Sequence, residues 1–220
     1  NTNVTGTATL LAAMRGMNIK KLVFSSTAAT YGEPKSTPIT EDAETRPTNP
    51  YGASKLAVDH MITSESIAYG LAAASLRYFN VAGAYKTAKG WLTEEHDPET
   101  HLIPNLLRAT EKDPLKIFGT DWPTPDGTCI RDYVHVVDLI EAHIAALDKV
   151  VEGSHEIINL GSGGGYSVKD VVAAGKAVTG KDLPVVNAER RAGDPAVLIA
   201  DISKAAKLLN WKPTRDIKTM

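Results

Sequence analysis

FSSTAATYGEP at residues 24–34 and NPYGASK at residues 49–55 decide how this chain is read. The first ends a short apolar run, KKLVFSS (20–26), with three hydroxyls, Ser25, Ser26 and Thr27. Its apolar residues run together rather than alternate, which predicts a short buried strand. The second opens a long helical stretch, PYGASKLAVDHMITSESIAYG. Pro50 suits a first helical position, Asn49 or Thr48 can cap it, and Gly70 ends it. Tyr51 and Lys55 are four apart and share one face near the amino end of that helix. A free tyrosine, with a pKa of about 10, is too weak a base at neutral pH. A nearby ammonium and the positive end of a helix both favour the phenolate. Tyr51 therefore reads as a general base, and Ser25 and Thr27 offer hydroxyls that can share a proton with a substrate oxygen.

Working outward, residues 3–16 read as a helix, with Val4, Thr7, Leu10, Leu11 and Met14 at helical spacing, and AAASLRYFNVAG reads as a strand. Helix, strand, helix, strand predicts an α/β fold, a doubly wound parallel sheet of Rossmann type. Ligands in such sheets sit at the carboxyl ends of strands, where Ser25–Thr27 and the RYFN segment both fall. Beyond residue 83, AYKTAKGWLTEEHDPETH and DWPTPDGTCIRDYV read as loops. LIPNLLRATE, HVVDLIEAHIAALDKV and SKAAKLLNW read as helices. LKIFG reads as a strand, HEIINLG as one that can rejoin the main sheet, and LPVVNAERRAGDPA as a strand running into a loop. SVKDVVAAGKAVTG reads as a helix opening on a Ser-x-x-Asp capping box.

The chain has 220 residues, 43% of them hydrophobic, enough for a sizeable core. Its 24 basic and 26 acidic residues are spread along it, so no basic face points to nucleic acid. The lone Cys129 cannot form an internal disulfide, which points to a reducing, cytoplasmic setting. No apolar run approaches the ~18 residues of a membrane span, and no signal peptide is read. The chain opens without Met in what already reads as a helix, and TRDIKTM stops at what reads as a helix start. The opening leads us to expect residues missing upstream, and the sequence resembles a fragment.

LVFSSTAATYGEP, PTNPYGASK, SLRYFNVAGA, IFGTDWPTPDGTCIRDYVHVVDL and RRAGDPA, in order over nearly all 220 residues, closely resemble the UDP-glucose 4-epimerases. These belong to the extended short-chain dehydrogenase/reductase superfamily. The resemblance implies a tightly bound NAD and interconversion of UDP-glucose and UDP-galactose, in galactose metabolism, by transient oxidation at sugar C4. It makes Tyr51 the base, has Lys55 tune it and hold the nicotinamide ribose, and has Thr27 hydrogen-bond the sugar oxygen. It places Asn3, Ser25, Ser26, Tyr78 and Phe79 by the cofactor. Asn80, His101, Leu102, Phe118, Arg131, Arg191 and Asp194 meet the nucleotide or its diphosphate. A planar guanidinium fork suits a diphosphate. Leu198 helps set room for an N-acetyl group, and leucine is intermediate in size there. The resemblance further implies a homodimer through two helices per subunit, including residues 50–68. It divides the chain into a cofactor part, residues 1–80 plus about 136–160, and a substrate part, residues 81–135 plus 161–220.

The chain departs from this family in lacking the Gly-rich turn and following acid that open a dinucleotide fold. GSGGGYS (161–167) does not replace them, because Tyr166 stands at the third glycine position, and it reads as a structural connection. His96 and His101 in EEHDPETH are five apart in a loop, a weak metal spacing, so no metal site is expected. His135 reads as structural at a helix start. Sugar 4,6-dehydratases carry an acidic pair where this chain has Ala28 and Ala29. Three alternatives remain: a 4-epimerase for N-acetylhexosamines, one for pentoses, and a non-catalytic nucleotide-binding relic. Cofactor binding separates the last from the rest.

Overall fold

The computed structural model describes residues 2–191 and 193–220. The first half runs α1 (Thr2–Gly16), β1 (Lys21–Ser25), a 3₁₀ turn (Ala28–Thr30), α2 (Pro50–Tyr69), β2 (Ala72–Tyr78), β3 (Asn80–Ala82), β4 (Tyr85–Thr87) and β5 (Gly90–Leu92). It continues through α3 (Leu102–Arg108), β6 (Leu115–Phe118), β7 (Ile130–Arg131), β8 (Tyr133–His135), α4 (Val136–Lys149) and β9 (His155–Leu160). The chain closes with β10 (Tyr166–Ser167), α5 (Val168–Thr179), β11 (Val185–Ala188), β12 (Val197–Leu198) and α6 (Ser203–Leu209).

The main sheet has the order β1-β2-β9, all parallel, and β9 returns to it from the distant segment that the sequence marked. β2 is its central strand and is buried along almost all its length. Side chains alternate across a sheet. Ala72, Ala74 and Leu76 therefore join one core with Leu139, Ala142 and Ala146 of α4. Ala73 joins the opposite core with Leu11 and Met14 of α1 and Val58 and Ile62 of α2. This is the helix–sheet–helix layering of a Rossmann-type fold. α6 and Trp211 pack into the α4 side of that sheet, although they follow the second group of strands in sequence. Trp211 Nε1 donates to Asp138 O at 2.8 Å, tying the chain's last segment to the first turn of α4.

Capping chemistry sets the helix ends. The Asn49 side chain accepts from Gly52 N at 2.8 Å, Pro50 occupies the first turn, and Gly70 closes α2 at φ 72. Ser167 and Asp170 form a full capping box on α5. The remaining short strands build a second body. β10-β7-β12 form one sheet, β6 pairs β11, and β3 pairs β8. Leu106, Leu115, Ile117, Tyr133, Val171, Val172 and Leu183 fill the core there.

Two stretches read as loops carry strands. Residues 85–92 form the β4/β5 hairpin, which turns at residues 88–89, with Gly90 at φ 128 opening β5. Its strands are three residues long and largely exposed, so no alternation betrays them. Within DWPTPDGTCIRDYV, β7 and β8 are likewise too short for periodicity and exist through their distant partners.

Candidate active site

β1 runs parallel to β2 and delivers Ser25, Ser26 and Thr27 at its carboxyl end. Alternation sends successive hydroxyls to opposite sides. Ser25 Oγ lies 3.1 Å from His143 Nε2 of α4, while His143 Nδ1 lies 2.9 Å from Leu139 O. A carbonyl only accepts, so Nδ1 carries the proton and Ser25 donates to Nε2. Ser26 turns the other way. Its side chain is fully buried and donates to Asp59 Oδ2 at 3.1 Å, and its N–H is bonded to Phe24 O and Leu76 O. The Ser26 hydroxyl and N–H thus both have partners within the protein, and its carbonyl is the group left for a cofactor. Thr27 is nearly buried, and its Oγ1 accepts from Ala29 N at 3.2 Å, capping the 3₁₀ turn.

α2 brings its first turn against that 3₁₀ turn, and Gly52 permits the approach. A Cβ there would lie under 3.0 Å from the backbone of Ala29. Tyr51, half-exposed, thereby comes to stand beside Thr27. Burial pushes the Tyr51 phenol above its ordinary value, while Thr27 beside it pulls the other way more weakly. Lys55 is also desolvated, and its pKa is lowered despite the opposing charge of Asp59. Burial, and not the Lys55 charge, is the largest influence on the Tyr51 phenol. Lys55 Nζ lies 5.9 Å from the Tyr51 ring centroid and instead donates to Ser25 O at 2.9 Å. Asn3 Nδ2 donates to Ser54 Oγ at 2.9 Å, fastening α1 to the same turn of α2.

A second feature is a cavity of about 720 Å³ lined by seven expected nucleotide residues, Asn80, His101, Leu102, Phe118, Arg131, Arg191 and Asp194. Arg191 stacks on Phe118 at 3.8 Å from the ring centroid, Arg131 lies 3.7 Å from an Asp194 oxygen, and Asn80 Nδ2 donates to Asp132 O at 2.9 Å. Tyr51, Lys55, Thr27, Tyr78 and Phe79 do not line it. Tyr78 instead packs at the sheet end, 6.3 Å from His143. Leu198 does not line it either, but pairs in register with Arg131 across β12 and β7.

Several residues escaped the sequence reading. Arg108 and Lys116 add two cations to the cavity wall, and Cys129 a thiol pushed up by burial. His143 stands behind Ser25. Asp59 carries a signal in retrospect, since it is four residues beyond Lys55 on the same helix face. It also pairs with Arg77 at 2.9 Å, with both side chains buried.

The glycine run at 161–165 is filled by the protein itself. The buried Asp132 carboxylate accepts from Ser162 N at 2.6 Å, Gly163 N at 3.1 Å and Ala200 N at 3.0 Å. A loop that has the composition of an anion cradle therefore already holds an anion. His135 caps α4 by accepting from Val137 N at 3.1 Å.

The donor set fits the nicotinamide end of a dinucleotide. Lys55 carries three N–H groups, and among the described residues one is taken by Ser25 O. A half-exposed phenol stands beside it at the carboxyl edge of a parallel sheet, where this fold class binds ligands.

Residues 1–161 match the family model described as NAD dependent epimerase/dehydratase family. A UDP-glucose 4-epimerase of Corynebacterium glutamicum is 55% identical over 221 residues, covering 99% of this chain and 66% of that protein. The chain thus spans about two thirds of the curated relatives it matches. A crystal structure of UDP-glucose 4-epimerase from Brucella ovis in complex with NAD superposes with TM-score 0.92 at 44% identity, covering 99% of this chain and 68% of that one. One from Bifidobacterium longum in complex with NAD+ and UDP gives TM-score 0.90 at 39% identity, covering 99% of this chain and 66% of that one. With these matches and the parallel sheet beneath them, the chain belongs to the NAD-dependent epimerase/dehydratase family.

Proposed function

We propose that the whole protein interconverts UDP-glucose and UDP-galactose with a retained NAD. The observation that carries this reading is the close approach of the first turn of α2 to the end of β1, which sets Tyr51 and Lys55 beside Thr27. In this reading Tyr51 takes the proton of the sugar 4-hydroxyl, and Thr27 shares the hydrogen bond to that oxygen. Lys55, anchored on Ser25 O, holds the ribose and lends positive charge to the phenolate. The chemistry that a bound NAD would supply there is reversible two-electron oxidation at C4. Tyr51 then gives its proton back to the C4 oxygen. Arg131 and Arg191 take the diphosphate by charge-assisted bonds, with Asn80, His101, Leu102 and Phe118 around the nucleotide and Asp194 on its ribose. Asn3, Ser25, Tyr78 and Phe79 serve the cofactor side.

We assign the cofactor part to residues 1–80 plus about 136–160, with α6 packed onto it, and the substrate part to the rest. Leu10 on α1 and Ile67 and Tyr69 on α2 are exposed, which supports a homodimer through these helices. No helix of the described residues is long and apolar enough to cross a membrane. The single, buried Cys129 suits a reducing cytoplasm.

The test incubates purified full-length protein with UDP-galactose without added NAD and follows UDP-glucose by NMR, with Tyr51→Phe alongside. Conversion abolished by Tyr51→Phe is the expected outcome. NAD binding without conversion moves the reading to a UDP-N-acetylhexosamine or UDP-pentose epimerase. Neither NAD nor conversion leaves the binding relic.

A further inference from the structure

His96 and His101 stand five apart in sequence, a spacing that says little, but folding brings their ring centroids to 4.7 Å. Glu94 reaches both: its Oε2 lies 3.2 Å from His96 Nε2 and 3.9 Å from His101 Nδ1. Glu99 Oε1 lies 2.8 Å from His101 Nδ1. One donor atom from each of these four residues lies within 4.8 Å of all the others. In a tetrahedral site with bonds of about 2.0–2.1 Å, donors stand roughly 3.4 Å apart. The 2.8, 3.2 and 3.9 Å separations scatter about that spacing, so the four donors close on a cation with small side-chain shifts.

A second observation is independent of the spacing. The Glu99 side chain is 5% exposed, and its Oε2 is buried with no hydrogen-bond partner among the described residues. Oε1 of the same carboxylate already accepts from Thr100 N, His101 N and the His101 ring. Two ordinary Glu–His hydrogen bonds account for the other contacts but leave this oxygen unexplained. A buried carboxylate oxygen needs a donor or a cation.

We propose that Glu94, His96, Glu99 and His101 bind a divalent cation of the zinc class, which pins the loop between β5 and α3. Two carboxylates balance its charge. Two imidazole nitrogens with two carboxylate oxygens suit zinc, whereas calcium and magnesium ask for six or more oxygens. The cation closes the loop at the rim of the nucleotide cavity, which Glu99 and His101 line, and ties that rim to the neighbouring groove, which Glu94 and His96 line. The proposal stands apart from the epimerase reading, because metal content is measured without substrate.

Full-length protein without a histidine tag is stripped with EDTA and titrated with zinc chloride by calorimetry. Metal analysis after gel filtration gives the stoichiometry. One equivalent is expected, together with a thermal midpoint raised by zinc. His96→Gln should weaken binding by about 100-fold or more, since losing even an outer-shell partner costs 10–100-fold. Glu94→Gln is the second variant should His96→Gln fail to fold by circular dichroism. No saturable uptake, equal uptake by wild type and folded variants, or displacement by equimolar magnesium overturns the proposal.

Discussion

Lys55 Nζ donates to the carbonyl oxygen of Ser25 at 2.9 Å, so the ammonium is moored to the end of β1 rather than to the phenol of Tyr51. Tyr51, Lys55 and Thr27, the proposed base, cation and hydroxyl relay, thus stand where α2 meets the end of the strand. Groups that act as a unit lose rate non-additively. Tyr51→Phe and Lys55→Met should each lower kcat by about 10²–10⁴, and the double variant should fall little further. Steady-state kinetics check this; multiplicative losses would mean that the two residues act separately.

Burial outweighs the opposing pull of Thr27 at Tyr51, which places the phenol pKa above the ordinary value of about 10. The near-ultraviolet difference between wild type and Tyr51→Phe should show no phenolate up to about pH 9. A transition near neutrality without nucleotide would show that Lys55 alone is enough to activate the phenol.

Asp59 accepts from Ser26 and from Arg77 Nε and Nη2, all with buried side chains. Removing one partner strands the other charge, so Asp59→Ala should cost about 3–5 kcal/mol. Adding Arg77→Met should recover part of that. Urea unfolding measures both, and a single-variant loss below about 1 kcal/mol would place the pair outside the cooperative core.

His155 is held neutral by burial between Thr63 and Ser75, with its pKa lowered to about 4. A base whose folded pKa lies below its unfolded value leaves stability intact above the unfolded value. Stability then falls as pH drops from about 6.5 to about 4, by at most about 3 kcal/mol. His155→Gln should flatten that limb of the stability–pH curve, and an unchanged slope would exclude this histidine as its source.

Gly52 and Gly6 are both helical, yet substitution should act oppositely. A Cβ at Gly52 meets the Ala29 backbone, whereas one at Gly6 meets nothing within 4 Å. Gly52→Ala should destabilise by about 1–3 kcal/mol and reduce turnover. Gly6→Ala should stabilise by about 0.5–1 kcal/mol and leave turnover alone. Thermal melts and the UDP-galactose assay decide the matter; equal effects would mean that close approach is not what Gly52 provides.

The long elements were legible because their signals are local. Asn49, Pro50 and Gly70 bound α2, Ser167 and Asp170 open α5, and the unbroken apolar run of β1 marks an interior strand. Tyr51 and Lys55 share a face by helical spacing alone. The sequence by itself thus determined the order of the long helices and of the main-sheet strands, the parallel sheet and the nearness of Ser25–Thr27 to the first turn of α2. It also carried the family resemblance. What lies between elements needed the tertiary structure. Whether Ser26 faces the site or Asp59 depends on how β1 meets α2. That the 161–165 glycines cradle Asp132 rather than a phosphate depends on a partner some thirty residues upstream. Glu94, His96, Glu99 and His101 converge through the path of a loop with no period to read. Local spacing is set by helix and strand geometry, which each residue's neighbours dictate. Side-chain direction, desolvation and convergence are set by contacts between distant segments, which exist only once the chain has closed on itself.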